Sequence, residues 1–453
     1  MKKAYDFVFV YEVKNRELEN DCLIACELEK RGYSVGFVET WAQQFWHGKA
    51  LPAKVAVGFA MYNENVLHFI ASYVTDCSKF VNMQWEQVIS NGARERSDDR
   101  EDSSIGIVGK AQNARHIAWG ENTVSALTKK YGVPKEHIRV TGHVSLDFFR
   151  DNLRRYFLPR EEILKKYNIK KEKKIVLFIS SFATVGAPAI VKNDKLYQSM
   201  FVEKVDAYED ISVKSQRTVL DWFVRYLAKN KDKAVVYRPH PAEAKNPYIY
   251  EIAKRHERFY VIDDYSIKQW ILISDFILTW VSTSIAEIYS SGKNCGILRP
   301  YEIPYEFDIE IYNGAKMIQD FEGMESLLNS SDMDRSFPID EAVFSRYYSI
   351  ESKPSYIRIS DFLEEIYKDE SYSLNAEVIK VSDVRRVLSN VKQYFIHCMV
   401  RIPILRKLIL ERIFHKDGEE MMQNYRYTKN MIKKNDSSKQ EIESIKGRIR
   451  KLL

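Results

Sequence analysis

Arg238 and His240 stand close together in the stretch Tyr237-Arg-Pro-His-Pro241, directly after the apolar residues 234–236. A guanidinium fork and a ring N–H at one place suit an anionic oxygen, most simply that of a nucleotide phosphate. The two prolines fix the backbone around the histidine and remove backbone donors. A structural turn with a capping histidine has the same pattern, so these residues alone leave both interpretations open.

A second group of polar residues comes between a short apolar run at 276–279 and the start of a helical pattern. Ser282, Thr283 and Ser284 are N-cap candidates, and a helix N-terminus attracts anions. Glu287 follows about one turn later, where its carboxylate could accept hydrogen bonds from ribose hydroxyls. Ordinary capping beside a surface glutamate is the alternative, but the pairing with 237–241 favours a nucleotide site.

Two glutamates compete for the part of a general base. Glu86 lies in the polar cluster Gln84-Trp-Glu-Gln87, at the end of a predicted strand, and Glu12 follows the first predicted strand. The alternative for Glu86 is a glutamate at a helix start beside a core tryptophan.

Three further polar residues are candidates in the first half of the chain: His116 opens a predicted strand, and His143 and Asp147 follow the last strand of the first unit. For all three the pattern favours structural roles. The sequence has no HExxH and no Cys/His cluster, so we expect neither a bound metal nor a cofactor. It also lacks GxxxxGK[ST] and GxGxxG, which argues against a P-loop NTPase and a dinucleotide oxidoreductase.

Short apolar runs alternate with helical patterns along most of the chain, beginning at residues 7–10 and again at 174–180. This alternation predicts βαβ units and parallel sheets, hence an α/β fold. Ligands of such sheets bind at the carboxyl ends of the strands, which is where the candidate residues stand.

The 453 residues are enough for two such domains. We predict an acceptor domain at 1–150, a nucleotide-donor domain at 172–335, crossover helices at 340–370 and a basic amphipathic helical tail at 378–453.

The net charge of +6 is unevenly spread: residues 380–453 hold about 18 Lys and Arg against about 8 Asp and Glu, so the remainder is close to −4. Residues 387–414 mix large apolar side chains with Arg401, Arg406, Lys407 and Arg412. This composition predicts amphipathic helices on an anionic membrane surface, and a helix docked on the body is the alternative. No zinc, RNP or helix-turn-helix pattern supports nucleic acid as a partner.

The location expected from the sequence is cytoplasmic, with peripheral attachment to the inner face of the cell membrane. No run of about 18 apolar residues exists, and the first apolar run is too short for a signal peptide. The five scattered cysteines include no CxxC pair and are expected to be reduced thiols.

Taken together, these motifs resemble those of GT-B-fold transferases of bacterial surface and capsular polysaccharides. The group includes Kdo transferases, bacterial sialyltransferases and CDP-glycerol glycerophosphotransferases. Four ordered features within 118–300, about 40% of the chain, carry the resemblance. They are Tyr237-Arg-Pro-His-Pro241, Ser274-Asp275 with Ser282-Thr-Ser284 and Glu287, Ser291-Gly-Lys-Asn294, and Ala118-Trp-Gly120 with Gly132, Ile138-Arg-Val-Thr-Gly142 and Asp147.

The resemblance implies two Rossmann-like domains facing a cleft and a cytidine-nucleotide-linked donor held by the second domain. His240 and the hydroxyls at 282–284 would contact the donor phosphate, and Glu287 the ribose. The glycerophosphotransferases of this group carry a His-Gly pair in the first domain, and near that place this chain has Asn91-Gly92 and Gln84–Gln87 instead. That departure argues against the polyol-phosphate reaction and, if the transfer inverts, leaves the base to Glu86 or Glu12; the sequence does not distinguish an inverting from a retaining reaction.

The prediction is therefore a metal-independent glycosyltransferase. It would move a sugar from a CMP- or CDP-linked donor to a lipid-linked glycan, with His240, Arg238 and residues 282–284 stabilising the leaving phosphate. The alternatives are a CDP-polyol phosphotransferase of teichoic-acid type, a UDP-sugar 2-epimerase on the same fold, and a non-catalytic membrane-bound scaffold.

Overall fold

The computed structural model describes most of the chain. The residues described are 4–41, 50–95, 107–183, 185, 205–240, 243, 245–330, 336–374, 387–388, 391–392, 394–395, 398, 401–402, 404 and 418–453.

Thirteen strands are present among these residues. They are β1 (Tyr5–Tyr11), β2 (Val35–Glu39), β3 (Leu51–Gly58), β4 (Val74–Thr75), β5 (Lys79–Asn82), β6 (Arg115–Ala118), β7 (Ile138–Val140), β8 (Lys174–Ile179), β9 (Lys233–Arg238), β10 (Phe259–Val261), β11 (Phe276–Thr279), β12 (Asn294–Leu298) and β13 (Met317–Ile318).

Fourteen α-helices are described alongside them. They are α1 (Lys14–Lys30), α2 (Glu64–Ala71), α3 (Asn91–Glu95), α4 (Glu121–Ser125), α5 (Arg160–Lys166), α6 (Val205–Lys229), α7 (Pro247–Arg255), α8 (Ile267–Ile273), α9 (Ile285–Ser291), α10 (Phe321–Asn329), α11 (Glu341–Tyr347), α12 (Ser355–Lys368), α13 (Gly418–Asn435) and α14 (Lys439–Arg450).

The first unit comprises Met1–Gln87, Asp98–Val144 and Glu351–Leu453. Its strands pair in the order β2-β1-β3-β5-β6-β7, with β4 added beside β3, and every pair is parallel. Strand β1 pairs with β2 on one side and β3 on the other, and its apolar residues are buried, as expected for a strand within a parallel sheet.

The second unit comprises Val88–Ser97 and Ser145–Ile350. Its six strands pair in parallel in the order β10-β9-β8-β11-β12-β13. Helix α6 packs its apolar face, which includes Leu220 and Phe223, into the core beneath β8 and β9. All six residues of β9, KAVVYR, are buried, and its β-branched and aromatic side chains, Val235, Val236 and Tyr237, are typical of a strand.

The two parallel sheets confirm the prediction of an α/β fold. The units are not contiguous stretches of chain, however, because Val88–Ser97, which we predicted to lie in the first domain, belongs to the second unit. There the Asn91 N–H donates to the Asp308 carbonyl at 2.9 Å, and Arg94 pairs with Glu310 at 2.7 Å.

The last two helices pack on the first unit. In α14, Lys446 is almost fully buried and binds Glu29 of α1, and the neighbouring Ile449 is fully buried. At the end of α13, the Asn435 side chain accepts the Lys14 N–H at 3.0 Å. The end of the predicted basic tail is therefore docked on the body.

In the earlier part of that tail, the described apolar side chains are exposed. Residues 378–386 and most of 389–417 lie outside the described residues, but seven large apolar side chains between 387 and 404 are described. All seven are 45% to 69% exposed: Val387, Leu388, Val391, Tyr394, Phe395, Ile402 and Ile404.

Candidate functional site

The residues predicted to bind the nucleotide-linked donor lie at one edge of the second unit's sheet. Because β8, β9, β11 and β12 are parallel, their carboxyl ends meet at the same edge. Ser180 follows β8, His240 follows β9 by two residues, the polar turn at 282–284 follows β11, and Arg299 follows β12. Strand β8 lies between β9 and β11, so the two predicted motifs flank it.

Arg238 is buried at the end of β9 and binds the loop that follows β10. Its guanidinium donates to the carbonyl oxygens of Ile262, Asp264 and Tyr265. Burial lowers the pKa of this guanidinium to about 10. Tyr265 has a left-handed backbone with φ of 62°, a conformation that costs energy for a residue with a side chain and that the Arg238 contact holds in place. The structure therefore gives Arg238 a loop-holding position rather than an exposed one.

His240 is exposed just beyond this arginine. Its backbone forms a tight turn with Glu243, in which the Glu243 N–H donates to the His240 carbonyl at 2.8 Å.

In the hydroxyl turn at 282–284, before α9, some polar groups already form hydrogen bonds within the protein. The Ser282 side chain accepts the Ser284 N–H at 3.2 Å, and the Tyr312 hydroxyl donates to the Ser282 carbonyl at 3.0 Å. Ser284 occupies the N-cap position without a side-chain capping bond, and Thr283 is exposed. Of the three predicted N-caps, Ser282 is thus the one whose side chain closes the turn.

Glu287, in the first turn of α9, is held from a distant part of the chain. The Ser145 hydroxyl donates to its carboxylate at 2.8 Å. Burial raises the pKa of Glu287, while the Ser145 hydrogen bond and the charge of Lys268 act in the opposite direction.

In the first unit, Glu12 and Glu86 both lie near one arginine. The Arg16 guanidinium contacts Glu86 at 2.7 Å and Glu12 at 3.9 Å, and it also binds the buried Glu17. The Glu12 N–H donates to Glu17 at 2.7 Å. Burial, followed by the charge of Glu17, raises the pKa of Glu12 to about 7.

The other residues of the Gln84–Gln87 cluster are structural. The Gln87 side chain donates to the Ile117 carbonyl at 2.9 Å and accepts the Trp119 N–H at 2.8 Å, so it extends the pairing beside β6. Gln84 is buried in a left-handed conformation, φ 44°, and Asn82 accepts its N–H at 3.1 Å.

The remaining candidates are buried as well. Burial lowers the pKa of His116 to about 3, so it is a neutral core histidine. The His143 ring stacks on Trp119 with centroids 3.9 Å apart, and Asp147 pairs with Arg150 at 3.0 Å.

Sequence reasoning missed Arg16, Ser145 and Glu243. Only Glu243 had a local signal, since a glutamate three residues after a turn start is typical of a capping box.

Among the described residues, no three His, Cys, Asp or Glu side chains are grouped to hold a metal ion. No helix in the described part of the chain is long and apolar enough to cross a membrane.

Comparison with known proteins identifies the fold but gives no sequence family. No protein-family model matches the chain, and no curated protein is similar to it in sequence. The chain is similar in structure to the wall teichoic acid polymerase TagF, with a TM-score of 0.52, 13% identity, and coverage of 81% of this chain and 90% of that one. The structure of a TagF variant soaked with CDPG gives a TM-score of 0.50 at 12% identity, with the same coverages.

The UDP-GlcNAc 2-epimerase of Methanocaldococcus jannaschii, in complex with UDP-GlcNAc and UDP, gives a TM-score of 0.46 at 12% identity, covering 79% of this chain and 99% of that one. The match to TagF supports the GT-B fold predicted from the sequence, with two α/β units.

Proposed function

We propose that this protein is a GT-B transferase that moves a sugar from a CMP- or CDP-linked donor to a surface-polysaccharide acceptor. The observation that carries the proposal is the carboxyl edge of the second sheet, where the exposed His240 and the hydroxyl turn at 282–284 flank the end of β8. Side-chain donors at the carboxyl ends of parallel strands suit a nucleotide phosphate.

In this proposal His240 contacts the donor phosphate, and the hydroxyls of Thr283 and Ser284 hold the same group. Glu287 accepts a hydrogen bond from the ribose, with Ser145 fixing its carboxylate at 2.8 Å. Arg238 acts indirectly, because its donors are directed to the carbonyl oxygens of the loop after β10.

Between the two candidate bases, the geometry favours Glu12. Arg16 binds Glu86 directly at 2.7 Å, and a bound guanidinium stabilises the anion and occupies its lone pairs. Glu12 lies 3.9 Å from the same guanidinium and has its pKa raised to about 7. A carboxylate with such a pKa accepts a proton efficiently near neutral pH.

The proposed acceptor is a glycan on a lipid at an anionic membrane surface, at the inner face of the cell membrane. The described apolar residues between 387 and 404 support this proposal, because exposed apolar side chains in such number mark an interaction surface. Lys392 and Arg401 stand among them and would meet anionic headgroups.

Replacing Leu388, Val391 and Phe395 together with serine is expected to abolish membrane binding. Each side chain should contribute about 1.5–3 kcal/mol on leaving water, so partitioning should fall at least about 1,000-fold. The measurement is co-flotation with vesicles of phosphatidylethanolamine and phosphatidylglycerol. Ile350→Ser, at a residue that is 53% exposed in the second unit, is the matched control. Unchanged flotation of the triple variant would contradict the membrane proposal.

A CDP-polyol phosphotransferase is the second candidate. The observation in its favour is the structural similarity to TagF, with a TM-score of 0.52.

Titration of the full chain with CMP, CDP, UDP and GDP tests the proposal, since base preference separates a cytidine-donor transferase from a UDP-sugar epimerase. Incubation with a CMP-sugar and with a CDP-polyol then identifies the transferred group from the mass added to the acceptor. Addition of a polyol phosphate in place of a sugar would favour the second candidate.

A further inference from the structure

Two hydrogen bonds of opposite direction join His240 to Glu243. The Glu243 N–H donates to the His240 carbonyl at 2.8 Å, and the His240 N–H donates back to the Glu243 carboxylate at 3.1 Å. This reciprocal pair resembles a capping box, in which a glutamate three residues on binds the first backbone N–H. Glu243 therefore fixes the backbone of His240 at two points.

The Glu243 carboxylate is itself anchored to the body of the second unit. Tyr237 of β9 donates to it at 2.7 Å, Gln216 of α6 donates at 3.2 Å, and the Ser180 hydroxyl after β8 also binds it. Asn246 in turn holds the Gln216 side chain at 2.8 Å. One carboxylate thus joins the His240 turn to two strands and a helix.

We propose that Glu243 is a positioning residue for the donor phosphate: it holds His240 at the carboxyl edge of the sheet so that the histidine meets the nucleotide in a fixed place. The inference rests on the proposed function and adds to it a residue that does not touch the donor. Turn closure alone needs no carboxylate, and burying an acidic group is unfavourable unless it is well hydrogen-bonded. The four donors converging on Glu243 meet that requirement, and burial raises its pKa.

A double-mutant cycle on the full chain tests this role. We expect Glu243→Ala to weaken CDP binding about tenfold in the presence of His240, and less than about twofold in a His240→Ala background, because residues acting as a unit are not additive. The measurement is isothermal titration with CDP. Glu251→Ala on α7, an exposed glutamate that binds Lys254, is the matched control and should leave binding unchanged. Equal losses in both backgrounds, or no loss at all, would overturn the inference.

A second readout needs no nucleotide. Selective ¹⁵N labelling of the nine histidines identifies the His240 amide resonance by its loss in His240→Ala. The resonance should shift in Glu243→Ala and stay in place in Glu251→Ala, because the carboxylate acceptor of that amide is removed only in the former. If the wild type binds CDP but the resonance does not move in Glu243→Ala, the inference is overturned and the proposed function stands. A wild type that binds no nucleotide contradicts the proposed function, and with it the donor role of Glu243, even if the resonance moves.

Discussion

His240→Ala is expected to lower transfer from the cytidine-linked donor about 100- to 1,000-fold, the usual effect of removing one preorganised donor to developing charge. The phosphate gains charge as the nucleotide departs, and a ring N–H on a fixed turn stabilises that charge without reorganising. The measurement is the rate of CMP or CDP release at saturating donor, together with the Kd of the released nucleotide.

His256→Ala is the matched control for this variant. His256 lies in the same unit, at the end of α7, and should leave the rate within about twofold of the wild type, as surface substitutions usually do. Retention of full rate by His240→Ala would remove the histidine from the site even if the fold assignment stands.

Glu12→Gln is expected to lower the transfer rate about 100- to 10,000-fold while nucleotide binding stays unchanged, because a general base acts only in the chemical step. The pKa of Glu12 is raised to about 7, above its usual value, so the carboxyl is protonated below that pH and free to accept a proton above it. The wild-type rate should therefore rise as the pH passes upward through about 7, and the variant should lose this limb of the profile.

Glu86→Gln is the direct comparison for Glu12→Gln, since both substitutions remove a carboxylate beside Arg16. We expect Glu86→Gln to retain most of the rate and the rise near neutral pH. A large loss in Glu86→Gln with a small one in Glu12→Gln would reverse the assignment of the base.

The architecture could be predicted because it is specified locally. The run 234–236 and the prolines after it mark a buried strand and its end, and β9 ends at Arg238. The same local reasoning located Glu12 and the turn at 282–284 at strand ends. What such reasoning cannot give is the partner of a side chain, because partners are set by tertiary packing.

Arg238 illustrates that limit. Its composition and position fit a phosphate ligand, yet its guanidinium binds carbonyl oxygens of a loop that begins 24 residues later. Ser145 and Glu287 are 142 residues apart, and no spacing rule could have paired them. Val88–Ser97 likewise contacts the second unit through residues far along the chain, including an antiparallel bridge between Ser90 and Ile309.

For the basic tail, composition predicted one feature and missed another. Its composition predicted an amphipathic region, and the described apolar residues between 387 and 404 are exposed. The composition could not reveal that Lys446 would be buried against Glu29 of α1, because a lysine is usually exposed unless a specific acidic partner is present.

The measurement that tests the central claim most directly is isothermal titration of the wild-type chain with CMP, CDP, UDP and GDP under identical conditions. We expect CDP or CMP to bind, and UDP and GDP to bind at least about tenfold more weakly, a difference of about 1.4 kcal/mol. Tighter binding of UDP than of either cytidine nucleotide, or no binding of any of the four, would contradict a cytidine-donor transferase.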